Sequence, residues 1–223
     1  MKRMKILAVV SQKGGVGKTT LATSLAVAAE QAGQNVAVFD LDEQATAAFW
    51  GDTRQSKSLV VQDVKASRLS HFLELARSNG CDLVILDCPP VHAAALTAAD
   101  PADFVLIPTK PDLFDIRAMR STVALMQSIN KPLAVVLTFC PPSGAEVQLA
   151  RDSVAAINAA LAPVEIHQRK AYARAQQEGL AVQEYEPEGK GASEIKSLYA
   201  YIHKFLHGGK ARGKVTTKLR SSL

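Results

Sequence analysis

Apolar residues along this chain form two kinds of pattern, which follow one another in turn. Short, unbroken apolar runs predict buried strands at Lys5–Val10, Val36–Leu41, Leu83–Leu86, Phe104–Ile107 and Ala134–Leu137. Between them, apolar residues recur every three or four positions and predict helices at Lys18–Ala32, Arg68–Arg77, Ile116–Ile129, Val147–Leu161 and Ser193–Leu206. Strands that alternate with helices in this way are typical of a doubly wound α/β fold. We therefore expect a mainly parallel, twisted sheet with helices on both faces.

The alternation of strands and helices continues to the last helical stretch without an internal repeat or linker. It stops at the glycine-rich segment HGGKARGK, which begins at His207. A chain of 223 residues, of which 48% are hydrophobic, can bury a substantial core. We predict a single domain over residues 1–207, followed by a basic, flexible tail over residues 208–223.

Positive charge is concentrated near the C-terminal end of the sequence. The whole chain has a net charge of +5, but residues 204–223 contain six Lys or Arg and no acid, so the first 203 residues sum to −1. A basic segment of this kind indicates a polyanionic partner, or it serves only to keep the protein soluble.

The sequence favours a cytoplasmic protein. It contains no run of 18 apolar residues that would predict a transmembrane helix. The basic and then apolar start, MKRMKILAVV, leads into a glycine-rich loop without the small-residue cleavage site of a signal peptide. Cys81, Cys88 and Cys140 are odd in number and widely spaced, which is typical of buried thiols in a reducing compartment.

The segment SQKGGVGKTT, residues 11–20, predicts a phosphate-binding loop (P-loop) between a strand and a helix. Its end, Gly17-Lys18-Thr19, matches the usual pattern, but Gln12 replaces the first glycine and Lys13 adds a second lysine. Glycines let backbone amides surround phosphate oxygens, and the helix N-terminus adds partial positive charge. We expect Lys18 to neutralise the phosphates and Thr19 to ligate Mg²⁺. The predicted nucleotide contacts in this loop are Lys13, Gly14, Gly15, Val16, Gly17, Lys18, Thr19 and Thr20.

Three carboxylates follow predicted strands and should meet the loop at the carboxyl edge of the sheet. LVILD ends in Asp87, the form of a Walker B motif, and VFDLD supplies Asp40 and Asp42 two residues apart. A lone Asp at a strand end is often only a helix cap. Because three acids converge on one loop, we predict that Asp87 reaches the metal shell, and that one of Asp40 and Asp42 holds a metal-bound water while the other orients the attacking water.

The motifs KGGVGKTT and FDLDEQ resemble the two signatures of the ParA/MinD family of deviant Walker A ATPases. DCPP, DFVLIPTKPDLFDIRA and HQRKAYARAQQEGLAVQEY extend the resemblance over nearly the whole chain. The loop begins about a dozen residues into the sequence, which leaves no room for an operator-binding helix-turn-helix. The resemblance is therefore to the short plasmid-partition (ParF-like) members. Two positions depart from it: Glu43 replaces a proline, and Thr138 stands where some relatives have an asparagine.

The resemblance implies a DNA-segregation ATPase that binds ATP and Mg²⁺ and forms an ATP-dependent homodimer. It implies that Lys13 is the signature lysine, which reaches the phosphates of the partner subunit, so that Lys13, Lys18 and Asp42 are the catalytic residues. The dimer would bind nonspecific DNA in the nucleoid, and a ParB-like centromere-binding protein would stimulate the hydrolysis that resets it.

The C-terminal third supplies the remaining expected contacts. By resemblance, Gln168, Arg169 and Tyr172 lie near the adenine, although Tyr172 could equally be a packing aromatic. The expected DNA contacts are cations: Arg169, Lys170, Arg174, Lys210, Arg212, Lys214, Lys218 and Arg220.

Other functions on this fold make different demands on the sequence. A MinD-like membrane-cycling ATPase would end in an amphipathic helix, whereas the tail offers only Val215, Leu219 and Leu223 at helical spacing, so no stable membrane association is expected. An iron–sulfur reductase needs cluster cysteines, and Cys88 stands outside any ligand pattern. A small-molecule ligase would carry a substrate pocket in place of Lys13, and the intact acids and loop argue against a non-enzymatic scaffold. A MinD-like or other cargo-positioning ATPase remains the alternative to DNA partition.

Overall fold

The described part of the chain folds into one parallel sheet between two layers of helices. The structure, a computed structural model, describes residues 3–90 and 92–208. Its strands are β1 (Lys5–Val9), β2 (Val36–Asp40), β3 (Val60–Asp63), β4 (Leu83–Asp87), β5 (Phe104–Thr109), β6 (Leu133–Cys140) and β7 (Ile166–His167). They pair in the order β3-β2-β4-β1-β5-β6-β7, and every pairing is parallel. The predicted doubly wound α/β fold is confirmed.

The helices are α1 (Lys18–Gln31), α2 (Thr46–Thr53), α3 (Leu69–Ser78), α4 (His92–Ala99), α5 (Leu113–Ser128), α6 (Ala145–Ala155), α7 (Lys170–Gln177), α8 (Val182–Tyr185) and α9 (Lys190–Leu206). Helices α1 to α6 connect successive strands, as parallel pairing requires, and α7 to α9 follow the last strand. None of the helices within residues 3–90 and 92–208 combines the length and the hydropathy needed to cross a membrane.

Unbroken apolar strands arise here because each face of the sheet has its own core. Along β1, Leu7 and Val9 pack into a cluster with α1 and α9, whereas Ile6 and Ala8 pack into a second cluster with α3 and α5. Successive side chains of a strand point to opposite faces, so both sets must be apolar. The carboxyl ends of β1, β2 and β4 lie level at one edge of the sheet, with Val9 and Asp40 both in register with Asp87.

Several elements differ from the sequence-based expectation. The pattern missed β3 and β7, because β3 is a largely exposed edge strand and β7 contains only two residues. Helix α6 ends at Ala155, earlier than expected, because Asn158 adopts a left-handed backbone with φ of 50°. The chain then lies beside β6, where Val135 N donates to Ala160 O and Ala162 N donates to Val135 O, each at 2.8 Å.

Candidate nucleotide-binding site

The phosphate-binding loop joins β1 to α1 at the carboxyl edge of the sheet. Gly15 and Gly17 have φ of 70° and 89°, a left-handed backbone that favours glycine. A Cβ at Gly17 would also lie 3.3 Å from Cε2 of Phe139, so this position is tight as well as left-handed. Helix α1 starts directly after Gly17, and its first amides have no partner within the helix. Strand, loop and helix therefore form a cradle suited to an anion.

The two lysines of the loop have different surroundings. The Lys18 side chain is folded back into the loop and is 8% exposed, and its Nζ donates to the carbonyl oxygen of Lys13 at 3.3 Å. Lys13 itself is exposed. A buried ammonium group without a carboxylate partner is costly unless an anion joins it. Lys18 thus fits a phosphate within the loop, whereas Lys13 is free to reach outward.

Thr19 and Asp87 meet beneath the loop. The Thr19 hydroxyl donates to Oδ2 of Asp87 at 2.6 Å, and the other carboxylate oxygen, Oδ1, is buried without a hydrogen-bond partner. Burial raises the pKa of Asp87 to about 7, with Asp40 adding to the rise, while the Thr19 hydrogen bond and the charge of Lys18 oppose it. A hydroxyl beside a carboxylate with a free oxygen is a donor set that suits hydrated Mg²⁺.

Asp40 and Asp42 reach the same edge of the sheet but make different contacts. Asp40 is fully buried, and its carboxylate accepts backbone hydrogen bonds from Ala47 at 2.7 Å, and from Asp42 and Ala48 at 3.1 Å each. It therefore anchors the start of α2 as a cap. Asp42 is half-buried. Its carboxylate accepts a hydrogen bond from the Gln44 amide at 3.1 Å, and the residue lines a large polar cavity.

Two cavities open on either side of this loop. The larger one, of about 1340 Å³, is lined by loop residues and by acidic and basic side chains of the neighbouring strand ends, among them Lys18, Thr19, Asp42, Asp63 and Lys65. The second, of about 490 Å³, has a mostly apolar lining that includes Leu21, Gln168, Arg169 and Tyr172. Four residues line both cavities: Gly17, Thr20, Phe139 and Gln176. A polar cavity joined to an apolar one suits a ligand with phosphates at one end and an aromatic base at the other.

Comparison with known proteins agrees with this arrangement. The family model of the CobQ/CobB/MinD/ParA nucleotide binding domain matches residues 7–182. The "Maintenance of carboxysome distribution protein A" of Gloeobacter kilaueensis is 32% identical over 203 residues, which is 89% of this chain and 92% of that protein. The chain belongs to the ParA/MinD family of nucleotide-binding ATPases.

Further members of the ParA/MinD family show the breadth of the match. The protein of the same name from Halothiobacillus neapolitanus is 29% identical over 198 residues, covering 84% of this chain and 91% of that protein. The chromosome-partitioning ATPase Soj of Thermus thermophilus is 28% identical over 165 residues, covering 60% and 66%. Among solved structures, MinD of the Aquifex aeolicus MinC:MinD complex superimposes with a TM-score of 0.77 at 17% identity, covering 90% of this chain and 96% of that one. A Cyanothece McdA variant in complex with ATP gives 0.72 at 18%, covering 94% and 98%.

The apolar cavity of this ParA/MinD-family chain is held in shape by Glu194. Its carboxylate accepts from Nε of Arg169 and from the hydroxyl of Tyr172, each at 3.2 Å, and contacts Nδ1 of His167 at 2.9 Å. Tyr172 packs into the core and also lines the cavity, and its place near an adenine stays a prediction. Burial and the Glu194 charge raise the pKa of Tyr172, which keeps the hydroxyl protonated as a donor.

The expected DNA contacts fall into three groups. Lys170 and Arg174 are exposed and lie four residues apart on α7, so they share one helix face. Arg169 is held by Glu194 in the cavity wall. The tail cations Lys210, Arg212, Lys214, Lys218 and Arg220 lie outside the described residues.

Sequence reasoning missed four residues that the structure brings to the site. Asp63 pairs in register with Asp40 at the same sheet edge, but the short exposed strand that carries it lacks an apolar run. Lys110 directly follows β5, so its place at the carboxyl edge was readable from the sequence. Phe139 has a left-handed φ of 51° at an irregularity in the pairing of β6, and Gln176 donates to the Thr20 hydroxyl at 3.0 Å. These two positions depend on tertiary structure and leave no signal in the sequence.

Proposed function

We propose that this protein is an ATP-dependent positioning ATPase whose ATP-bound dimer binds DNA without sequence preference and is released by hydrolysis. The observation that carries the proposal is the contrast between the two loop lysines. Lys18 is buried and its Nζ donates to the Lys13 carbonyl oxygen within the loop, whereas the Lys13 residue is exposed. In this proposal, Lys18 contacts the nucleotide bound within its own subunit. Lys13 contacts the nucleotide of the partner subunit.

Each site residue has a role that follows from its contacts. The loop amides and Lys18 bind the phosphates, and Thr19 and Asp87 hold Mg²⁺, which when bound offsets the negative charge of the phosphate oxygens. Asp42, half-buried at the polar cavity, orients the attacking water. Asp40 supports this arrangement through the backbone of Asp42 and α2, in addition to any contact with metal-bound water.

Base and sugar occupy the apolar cavity in this proposal. Gln168 and Arg169 both line it, beside Thr20 of the loop. Phe139 and Gln176 stand where the two cavities join, so one nucleotide can extend through both. The Glu194 cluster keeps the cavity wall in place before the ligand binds, which lowers the cost of ordering it.

Dimerisation is the switch for DNA binding. Lys170 and Arg174 give one subunit few phosphate contacts, and the basic tail adds more. A dimer doubles these contacts on one body, and DNA affinity depends steeply on the number of phosphates neutralised. The nucleotide state therefore controls where the protein resides, on the nucleoid or free in the cytoplasm.

The cargo is best sought among protein assemblies. Two relatives, which cover 84% and 89% of this chain, are named for the maintenance of carboxysome distribution. We propose that the partner that stimulates hydrolysis is an adaptor carried by such a cargo. A ParB-like centromere-binding protein is the second candidate, favoured by the match to chromosome-partitioning relatives over a shorter stretch of the chain.

Co-sedimentation with DNA and flotation with vesicles test this function together. The protein is incubated with ATP or ADP, and with either a random-sequence duplex or vesicles that contain anionic lipid. We expect binding to the duplex only with ATP and no flotation with either nucleotide. ATP-dependent flotation without DNA binding would instead support a MinD-like membrane cycle.

A further inference from the structure

A third lysine, Lys110, faces the phosphate-binding loop from the neighbouring strand. It directly follows β5, which pairs with β1 on the side opposite β4. Its Nζ lies 3.8 Å from the place that a Cβ would occupy on Gly15. Gly15 is exposed in the loop and lines the polar cavity. The ammonium group therefore lies beside Gly15, a residue that itself lines the polar cavity.

The Lys110 ammonium group rests on an aromatic ring. Its Nζ lies 4.7 Å from the centroid of the Phe139 ring, and none of the ion pairs formed within residues 3–90 and 92–208 includes Lys110. A cation over a ring is held more weakly than a cation paired with phosphate. Phe139 itself lies against Gly17 and between the two cavities. The ring thus places Lys110 next to the loop and can release it to a stronger partner.

Two carboxylates, Asp112 and Asp115, lie within electrostatic reach of Lys110. Asp115 is buried at the start of α5, and burial and its neighbour Asp112 raise its pKa, while the charges of Lys13 and Lys110 oppose that rise. Lys13 and Lys110 are therefore both within electrostatic reach of Asp115. Lys18, in contrast, is folded inside the loop.

We infer that Lys110 is a third phosphate-binding cation, which pairs with the terminal phosphate of the nucleotide bound to its own subunit and so favours ATP over ADP. This inference rests on the proposed nucleotide-binding function. Lys18 serves any phosphate chain that enters the loop, so its contact is shared by both nucleotides. A cation beside the exposed tip of the loop is placed for the added phosphate of ATP, and that contact is absent with ADP.

Nucleotide affinity measured in a monomeric background tests the inference. Lys13→Ala, which is expected to stay monomeric, is combined with Lys110→Gln or Lys110→Arg, and each protein is titrated with fluorescent analogues of ATPγS and ADP. Lys110→Gln should lower the affinity for the ATP analogue about tenfold, the worth of one charge-assisted hydrogen bond, and change the ADP affinity less than about twofold. Lys110→Arg should restore most of the preference. Lys196→Gln, an exposed lysine on α9, is the matched control.

The outcomes distinguish a failure of the Lys110 role from a failure of the proposed nucleotide-binding function. An equal loss of ATP and ADP affinity in Lys110→Gln, or an unchanged ratio, would overturn the role of Lys110. Lys110→Gln is also titrated with Lys13 intact, and a loss that occurs only there would assign Lys110 to the partner's nucleotide and would also overturn its role in its own subunit. If the unsubstituted protein bound neither analogue, the proposed function itself would fail.

Discussion

The hydroxyl of Thr19 donates a 2.6 Å hydrogen bond to the buried carboxylate of Asp87, which joins the end of the phosphate-binding loop to the end of β4. The second oxygen of Asp87 has no hydrogen-bond partner, and burial raises the pKa of this group to about 7. The hydrogen bond thus ties the loop to an acid whose charged form is disfavoured by burial. In the proposed site, bound Mg²⁺ would offset that cost.

Stability of the metal-free protein should depend on pH through Asp87. The folded-state pKa is about 7 and the ordinary value is 3.8, so between these values the folded protein holds a proton that the unfolded chain has lost. The contribution of this group to the free energy of unfolding therefore falls as the pH rises from 3.8 to 7, by up to roughly 4 kcal/mol. Asp87→Asn removes this loss, so the variant should be more stable than the unsubstituted protein at pH 8 and similar to it near pH 4.

Urea unfolding with EDTA at both pH values measures this difference. Asp63→Asn is the matched control, because Asp63 ends the neighbouring edge strand but is exposed. Asp87→Asn should also lose Mg²⁺-dependent hydrolysis. A stability difference that is equal at both pH values would remove Asp87 as its cause.

Asp42→Ala should trap the ATP-bound dimer. The substitution removes the group that orients the water, whereas Lys18, Thr19 and Asp87 remain in place. ATP binding and dimerisation should persist while turnover falls by about 10²–10⁴-fold. Phosphate release, measured beside Glu43→Ala as an exposed neighbouring control, tests this assignment. If turnover were unchanged, Asp42 would have no water-orienting role.

DNA binding with ATP should weaken steeply as salt increases. The logarithm of affinity falls by about 0.9 per phosphate neutralised for each unit in the logarithm of salt, so a dimer should show about twice the slope of a monomer. Lys170→Gln combined with Arg174→Gln should lower both affinity and slope, and so should removal of residues 209–223. Lys196→Gln serves as the control for a lysine on another helix. Fluorescence anisotropy at several salt concentrations measures the slopes, and equal slopes for full-length and truncated protein would exclude the tail.

Lys18→Ala should abolish nucleotide binding itself. Its ammonium group is folded into the loop and has no carboxylate partner within the described ranges, so its removal leaves the phosphates without their central cation. Titration with fluorescent ATP and ADP analogues should show at least a tenfold loss for both. Retained binding of either nucleotide would show that the loop amides suffice.

The sequence predicts most of the central sheet but only part of the candidate site. Apolar runs reveal the central strands because both faces of the sheet are buried, and Asp87 and Asp42 are found because they end such runs. Strands β3 and β7 could not be predicted, because β3 is largely exposed and β7 has only two residues, so neither contains an apolar run. The role of Asp40 as a helix anchor and the place of Phe139 between the cavities depend on backbone geometry that only the folded chain shows.

The central claim is that Lys13 acts between two subunits, and the mass of the protein in solution tests it most directly. Light scattering coupled to size exclusion is run with a non-hydrolysable ATP analogue and with ADP. We predict a dimer with the ATP analogue and a monomer with ADP. Lys13→Ala should bind the analogue and remain a monomer, while Lys196→Ala should behave like the unsubstituted protein. A Lys13→Ala protein that dimerises normally with the ATP analogue would contradict the account.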